Sequence, residues 1–253
     1  MIKVKNISEY INSIAPYSTE CDWDNCGILV GNPDKTVNKI AFTLDLTRET
    51  LTASKQFGAD LIITHHPVIF KPQSTFLSGT LAYDLVLNDI SVISAHTCFD
   101  CAMGGVNDVL CEMLDIENVT GVPSDDCVVP MARIGDIDPV ASDKFIEKVA
   151  EKLNTVCRVS DSEKTVSKVA VCGGAGMDFF EAAVKLGADA YVTGDASHHH
   201  FLEAASKGVT LIAAGHFETE APAMVRLLDV VSNKFSDTEC MLINQSNPVK
   251  YIG

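Results

Sequence analysis

Short apolar segments rich in β-branched residues alternate along this chain with longer segments whose apolar residues recur at helical spacing. Because the short segments are almost continuously apolar, we expect strands covered on both faces, as in a mostly parallel or mixed sheet flanked by helices. The pattern therefore predicts an α/β fold. Six strands are predicted: Lys39 to Leu44, Asp60 to Thr64, Ile90 to Ala95, Lys168 to Cys172, Ala188 to Thr193 and Val209 to Ala213.

Four segments have helical periodicity: Thr47 to Gln56, Ser142 to Leu153, Asp178 to Leu186 and Glu218 to Ser232. The first begins at a capping threonine and ends before Gly58, and the third ends at Gly187, so both have ordinary start and stop signals. The segment Gly121 to Asp138 is rich in Pro, Asp and Gly and has no periodic pattern. We interpret it as the crossover into a second domain.

Composition narrows the possible partners. The 253 residues suit one large or two small domains, and 34 acidic against 19 basic residues give a net charge of −15. Such a chain repels a phosphate backbone, which argues against direct nucleic-acid binding. No apolar run approaches the ~18 residues of a membrane helix. Nine cysteines and an N-terminus without a secretory signal predict free thiols and a cytoplasmic protein that does not bind membranes.

Three predicted strands run directly into clusters of side chains that bind metals. These are His65 with His66, His96 with Asp100, and His216 with Glu220. Loops at the carboxyl ends of strands in an open α/β sheet can converge on one crevice. Imidazole and carboxylate donors without obligatory thiolates suit Zn, Mn, Fe or Co. The recurrence predicts a metal site.

The local geometry leaves alternatives open. If the strand continues, His65 and His66 point in opposite directions and serve two neighbouring ions; if the chain bends toward Pro67, they turn together. His216 and Glu220 share one face if a helix begins near His216. Taken alone, each cluster also fits a hydrogen-bonded loop histidine or a carboxylate in the first turn of a helix.

Several motifs, taken together and in order, resemble the NIF-three-like family, whose members are also named GTP cyclohydrolase 1 type 2 homologs. WDNCGILVG is similar to the family's WDNVGLLVG, ITHHPVIF contains its THHP, and GADAYVTGD is similar to GADVYITGE. The segment that starts AHTCFD and continues to GGVND resembles AHTNLD…GGVND, and GHFETE resembles GHYxTE. The motifs lie at residues 23–31, 63–70, 95–108, 187–195 and 215–220.

The resemblance implies a two-domain NIF-three-like α/β fold, a dinuclear centre of two divalent metal ions and a ring-shaped homohexamer. It places one ion on His65 and Asp100 and the other on His66 and His216, with Glu220 as the bridge. His96, beside Asp100, is then a further ligand or a partner that supports a ligand, and in a hydrolase it would move protons. His96 and Glu220 are the catalytic candidates.

These ligands come from distant parts of the chain. We therefore expect a discontinuous metal-binding domain of residues 1–122 plus 214–253, with residues 123–213 inserted as a second α/β domain. The metal site is then expected at the carboxyl ends of the strands, in the cleft between the two domains.

Departures from the family pattern raise separate questions. Cys98 and Cys101 form a CxxC around Asp100. We interpret them as small buried residues. The alternative is that their thiols influence which metal binds or make the site sensitive to oxidation. Asp195 stands where the family usually has Glu. For His198-His199-His200 an exposed turn is favoured over a pocket role.

Three further features have an anion-binding alternative. The loop Gly173 to Gly176 lacks the Lys-Ser/Thr of a Walker loop, so a plain turn is favoured over a phosphate cradle. Lys71 and Arg133 are candidate anion contacts, although most lone cations on so acidic a chain are solvated.

Two functions follow from the resemblance. The first is a metal-dependent hydrolase that acts through activated water on a small-molecule substrate, a nucleotide such as GTP or a related compound. The alternative is a non-catalytic protein that binds or delivers metal, or an interaction scaffold. The family's historic name suggests a transcription partner, but the chain lacks the basic stripe that DNA contact needs.

Overall fold

The structure is a computed structural model that describes residues 1–124 and 129–250. Its elements up to residue 101 are α1 (Val4–Ile14), β1 (Gly27–Val30), β2 (Lys39–Thr43), α2 (Arg48–Phe57), β3 (Leu61–Thr64), α3 (Leu81–Leu87), β4 (Ser91–Ser94) and α4 (Thr97–Cys101). Those that follow are α5 (Val106–Met113), β5 (Glu117–Gly121), β6 (Arg133–Ala141), α6 (Ser142–Lys152), β7 (Arg158–Ser160), β8 (Thr165–Cys172), α7 (Phe180–Lys185), β9 (Ala190–Thr193), α8 (His198–Lys207), β10 (Thr210–Ala213), α9 (His216–Lys234) and β11 (Glu239–Leu242).

The first sheet has five strands in the order β1-β4-β3-β2-β11. The adjacent strands β4, β3, β2 and β11 run parallel to one another. The edge strand β1 pairs antiparallel with β4. All residues of β3 and β4 are buried, as expected for strands covered on both faces. The core on one face contains Ala41, Leu51, Ile62, Leu85 and Val92.

The second sheet has six strands in the order β5-β6-β8-β9-β10-β7. The central strands β8, β9 and β10 are parallel, whereas β5, β6 and β7 pair antiparallel with their neighbours. Apolar residues of α5 and α6 pack on this sheet, among them Leu110, Phe145 and Val149. The predicted α/β class with mixed sheets flanked by helices is confirmed.

The described chain divides into two compact units, residues 1–103 with 224–248, and residues 104–223 with 249–250. The sequence predicted a discontinuous domain of residues 1–122 plus 214–253, with residues 123–213 inserted as a second domain. These boundaries stay a prediction. The segment Gly121 to Asp138 holds the end of β5 and the start of β6, which are neighbours in one sheet. Residues 125–128 of that segment lie outside the described residues.

Most predicted helices lie where the periodicity places them. The helix predicted from Thr47 is α2, with Thr47 as its capping residue. The one predicted over Asp178 to Leu186 is a 3₁₀ turn followed by the short α7. The last begins at His216, two residues before the predicted start. Within the described residues, no helix has the length and apolar character needed to cross a bilayer.

Candidate metal centre

The first set of candidate ligands lies just beyond β3, where the chain bends sharply. The backbone amides of His65 and His66 both donate to the carbonyl oxygen of Leu44, over 3.2 and 3.1 Å, so the extended geometry stops at Thr64. The two imidazole rings consequently lie on the same side, with centroids 5.0 Å apart. The sequence left open whether the strand continues through His65 and His66 or bends toward Pro67. In the structure the chain bends, and the two rings turn together.

The neighbouring strand β4 brings His96 and Asp100 to the same place. The His96 ring lies 5.1 Å from the His65 ring and 5.2 Å from the His66 ring, and one ligand nitrogen from each lies within 4.8 Å of the others. Asp100, in α4, is buried, with Oδ1 3.7 Å from Nε2 of His65. Two donors that bind one ion at about 2.0–2.2 Å lie at most about 4.4 Å apart, and the 3.7 Å between Asp100 and His65 is within that limit. This unit therefore supplies three imidazoles and one carboxylate.

Each of these imidazoles is held at Nδ1 by an acceptor. For His65 the acceptor is the carbonyl oxygen of Ala95 at 2.9 Å, for His66 it is Asp45 Oδ1 at 2.7 Å, and for His96 it is Asp24 Oδ1 at 2.7 Å. Carbonyl and carboxylate oxygens hold no hydrogen, so in each ring Nδ1 carries the proton and Nε2 carries the lone pair. Histidines that bind metals are oriented in the same way.

Asp24 is the most heavily bonded of these acceptors. Its side chain is fully buried and also accepts hydrogen bonds from the amide and hydroxyl of Thr97, the amide of Asn25 and the thiol of Cys26. Burial raises the pKa of Asp24, but His96, Thr97 and Asn25 outweigh burial and hold the pKa well below its usual range. Asp24 is therefore a fixed negative charge behind His96.

Asp45 is held by a residue far along the chain. Gln245 donates through Nε2 to Asp45 Oδ2 over 2.6 Å, and its Oε1 accepts from the Asp45 amide and the Thr43 hydroxyl, each over 2.9 Å. The other carboxylate oxygen, Oδ1, is the one that accepts from His66. Sequence reasoning missed both residues. Asp45 directly follows the predicted strand Lys39 to Leu44, and that position could have indicated it, whereas Gln245 lies in no predicted element or quoted motif.

The second ligand set lies in the other unit, in the first turns of α9. His216 Nε2 and Glu220 Oε2 are 3.2 Å apart, as the four-residue spacing predicts, and Glu220 is 4% exposed. Asp195 Oδ2 lies 2.7 Å from His216 Nδ1, so the carboxylate that stands in place of the usual Glu holds this imidazole. Burial lowers the pKa of His216, but Glu220 and Asp195 outweigh it and raise the pKa to about 9.

The glycine loop after β8 packs against this second set. Gly174 has φ +58°, and a Cβ there would lie 2.1 Å from Glu220 Oε1 and 3.2 Å from His216 Nε2. The amides of Gly173, Gly174 and Gly176 donate to side chains of Asn107, Thr219 and Thr193. Since these amides already have partners within the protein, the plain-turn interpretation is favoured over the phosphate cradle.

Other residues singled out in the sequence lie apart from these sets. Cys98 and Cys101 are buried, in line with compact apolar residues. Arg133 is buried and donates to Asp108 and to two backbone carbonyls, so it is not an anion contact. Lys71, His198 and His199 are exposed, and His200 caps the start of α8 by accepting from the Ser197 amide at Nδ1.

With this geometry in hand, comparison with known proteins identifies the family. The family model described as Duf34/NIF3 (NGG1p interacting factor 3) matches residues 2–248. The chain belongs to this family. A Duf34/NIF3 relative from Clostridium perfringens, named GTP cyclohydrolase 1 type 2 homolog, is 32% identical over 99% of this chain and 100% of its own length. A relative of the same name from Clostridium acetobutylicum is 30% identical over 99% of both chains.

Solved structures agree with this Duf34/NIF3 fold. A Staphylococcus aureus hypothetical protein has a TM-score of 0.90 and 25% identity and covers 99% of both chains. Reduced HcgD from Methanocaldococcus jannaschii has a TM-score of 0.84 and 29% identity, over 96% of this chain and 98% of that one. The resemblance inferred from the sequence motifs is confirmed.

Proposed function

We propose that this Duf34/NIF3 protein is a hydrolase that uses two divalent metal ions to act on a nucleotide or a related small molecule. His65 and Asp100 would hold one ion, His66 and His216 the other, and Glu220 would bridge them. The observation that carries the proposal is the orientation of the histidines: His65, His66, His96 and His216 all have Nδ1 held by an oxygen acceptor, which presents Nε2 for binding.

The donors suit ions such as Zn, Mn, Fe or Co. The proposed ligands are imidazole nitrogens and carboxylate oxygens, which these metals accept. Asp100 and Glu220 are 7% and 4% exposed. Burying carboxylates is costly unless positive charge compensates them, and divalent cations supply that charge.

The protein's own groups would then position the reaction. Two divalent ions, when bound, supply Lewis acidity that activates water and polarises the atom under attack. His96 is suited to move a proton at Nε2, because Asp24 accepts the hydrogen bond from Nδ1 and so orients the ring. Asp195 likewise orients the His216 ring through its contact with Nδ1.

A metal analysis combined with a turnover assay tests the proposal. We expect wild type to bind two equivalents of metal per chain, His65→Ala to lose at least one, and His199→Ala, an exposed histidine outside both sets, to match wild type. Metal-loaded wild type should release formate or phosphate from GTP or another nucleotide, and Glu220→Ala should reduce the rate at least about 100-fold. Glu151→Ala, an exposed glutamate, is the control. Two tightly bound ions without turnover of any nucleotide would instead support a metal-binding or metal-delivery protein.

The assembly and compartment are further parts of the proposal. We propose a homohexamer, on the family resemblance, and a cytoplasmic location, supported by eight free cysteines among the described residues. Light scattering coupled to size-exclusion chromatography would show a mass six times that of the chain. A monomer or dimer at micromolar concentration would contradict the hexamer.

A further inference from the structure

Two large aromatic side chains are exposed beside the first ligand set. Trp23 is 58% exposed and Phe70 is 42% exposed, and their rings are in contact, with centroids 5.6 Å apart and planes inclined by 36°. Exposed aromatic residues that occur singly need no explanation, whereas a contiguous pair beside a cluster of ligands is unusual. We call Trp23 and Phe70 the aromatic pair.

The aromatic pair adjoins the histidine that we place in proton transfer. The His96 ring lies 5.9 Å from Trp23 and 6.2 Å from Phe70, with its plane steeply inclined to both. His96 is in turn about 5 Å from the rings of His65 and His66. A molecule seated on the aromatic pair is therefore one ring away from the proposed ligands.

The aromatic pair is also held in place by hydrogen bonds on both sides. Asp24, directly after Trp23, is fixed by His96 and Thr97. Asn25 donates through Nδ2 to the carbonyl oxygen of Ile69, directly before Phe70, over 2.6 Å. The segments that carry the two rings are thus tied to each other and to the ligand set, which is the preorganisation that a binding surface needs.

We infer that the aromatic pair binds the planar heteroaromatic ring of the substrate by stacking and so directs it toward His96 and the metal ligands. The inference rests on the proposed function and names its substrate class: molecules with a flat ring of the nucleobase kind. Aromatic side chains stack well on such rings. Because the chain carries a net charge of −15, recognition through the ring avoids dependence on a phosphate group.

Tryptophan fluorescence reports directly on this surface, because Trp23 is the only tryptophan of the chain. We would titrate the full-length protein, kept metal-free with EDTA, with guanosine, adenosine and cytidine, and with ribose as the probe without a base. We expect saturable quenching by at least one nucleoside and none by ribose. Quenching that does not saturate, or an equal response to ribose, would overturn the inference.

Variants locate the binding. Phe70→Leu keeps the fluorophore and should weaken nucleoside binding about fivefold or more, whereas Phe76→Leu, at a phenylalanine that is 54% exposed, should match wild type. By calorimetry, Trp23→Phe should retain binding and Trp23→Leu should lose it. Equal affinities for Phe70→Leu and Phe76→Leu would refute the aromatic pair as the site.

The two proposals fail separately. Nucleoside binding at Trp23 without turnover of any nucleotide leaves the inference standing and contradicts the hydrolase. Metal-dependent turnover of a substrate without a planar ring, together with no nucleoside binding, would support the hydrolase and contradict the inference about the aromatic pair.

Discussion

At the scale of single residues, the most informative groups are those that hold the proposed ligands. Asp24, Asp45 and Asp195 each hold an imidazole at Nδ1, and the Ala95 carbonyl does so for His65. Such partners fix the tautomer and the ring orientation, and their loss commonly lowers metal affinity 10- to 100-fold. We therefore expect substitutions at the positions behind the histidines to weaken metal binding as well.

Asp24 gives a prediction with a defined pH dependence. Its folded-state pKa is lowered, so its contribution to stability is present above the unfolded value near 3.8 and is lost as pH falls toward the folded value. We expect Asp24→Asn to lower the free energy of unfolding by about 1–3 kcal/mol at neutral pH. Urea unfolding of both proteins from pH 7 to pH 3 should show this difference shrinking below pH 4. A difference that grows with acidity would contradict the assignment.

The sequence indicates candidate ligands more readily than it indicates the residues that hold them. His65, His66, His96, Asp100, His216 and Glu220 follow strand ends, a position that the apolar pattern locates. The holding residues lie far away in the chain: Asp24 is 72 positions from His96, and Gln245 is 200 from Asp45. Periodicity carries no information about such pairs. Asp24 was indicated only as part of the WDN motif, through the resemblance of that motif to the family's sequence, and not by any pattern of spacing.

At the scale of elements, burial decides which strands can be predicted. The buried strands β2, β3, β4, β9 and β10 each lie within a predicted segment, and β8 covers another. The predicted segments do not include β1, β5, β6, β7 or β11. The edge strands β5, β7 and β11 are largely exposed and contain no continuous apolar run. The strand β6 has two aspartates and a proline and begins in the segment interpreted as a crossover, and β1 is a four-residue edge strand that lies within the WDN motif. Edge strands are defined by the partner they pair with, and a single segment does not reveal that partner.

The loop after β8 supplies a prediction for one glycine. Gly174→Ala should weaken metal binding at least about tenfold, because its Cβ would displace Glu220 Oε1 in addition to straining a backbone with positive φ. Gly187→Ala is the matched control: its φ is also positive, at +89°, but its nearest neighbour would be the Lys168 side chain at 4.0 Å. Calorimetric titration with Zn²⁺ or Mn²⁺ measures both. Equal losses of affinity would mean that backbone strain alone is responsible.

At the scale of the whole molecule, the proposal links metal to folding. A ligand that binds only the folded chain stabilises it by about 2.7 kcal/mol at 100 times its Kd. For a chain of this size that corresponds to a rise in Tm of roughly 5–10 °C. Scanning calorimetry of the EDTA-treated protein with and without added Zn²⁺ or Mn²⁺ checks this. His66→Ala should reduce the rise and His198→Ala should keep it; no rise in wild type would contradict a resident metal.

The pairing of β11 with β2, together with the contact from Gln245 to Asp45, has a consequence for synthesis of the protein. A ribosome will have delivered every proposed ligand before it reaches residue 239. Until that strand joins the sheet, the carboxylate behind His66 lacks its amide partner. A chain that stops before residue 239 would thus carry all the proposed donors yet hold one imidazole loosely, and we expect full metal affinity only once Gln245 has been synthesised and contacts Asp45.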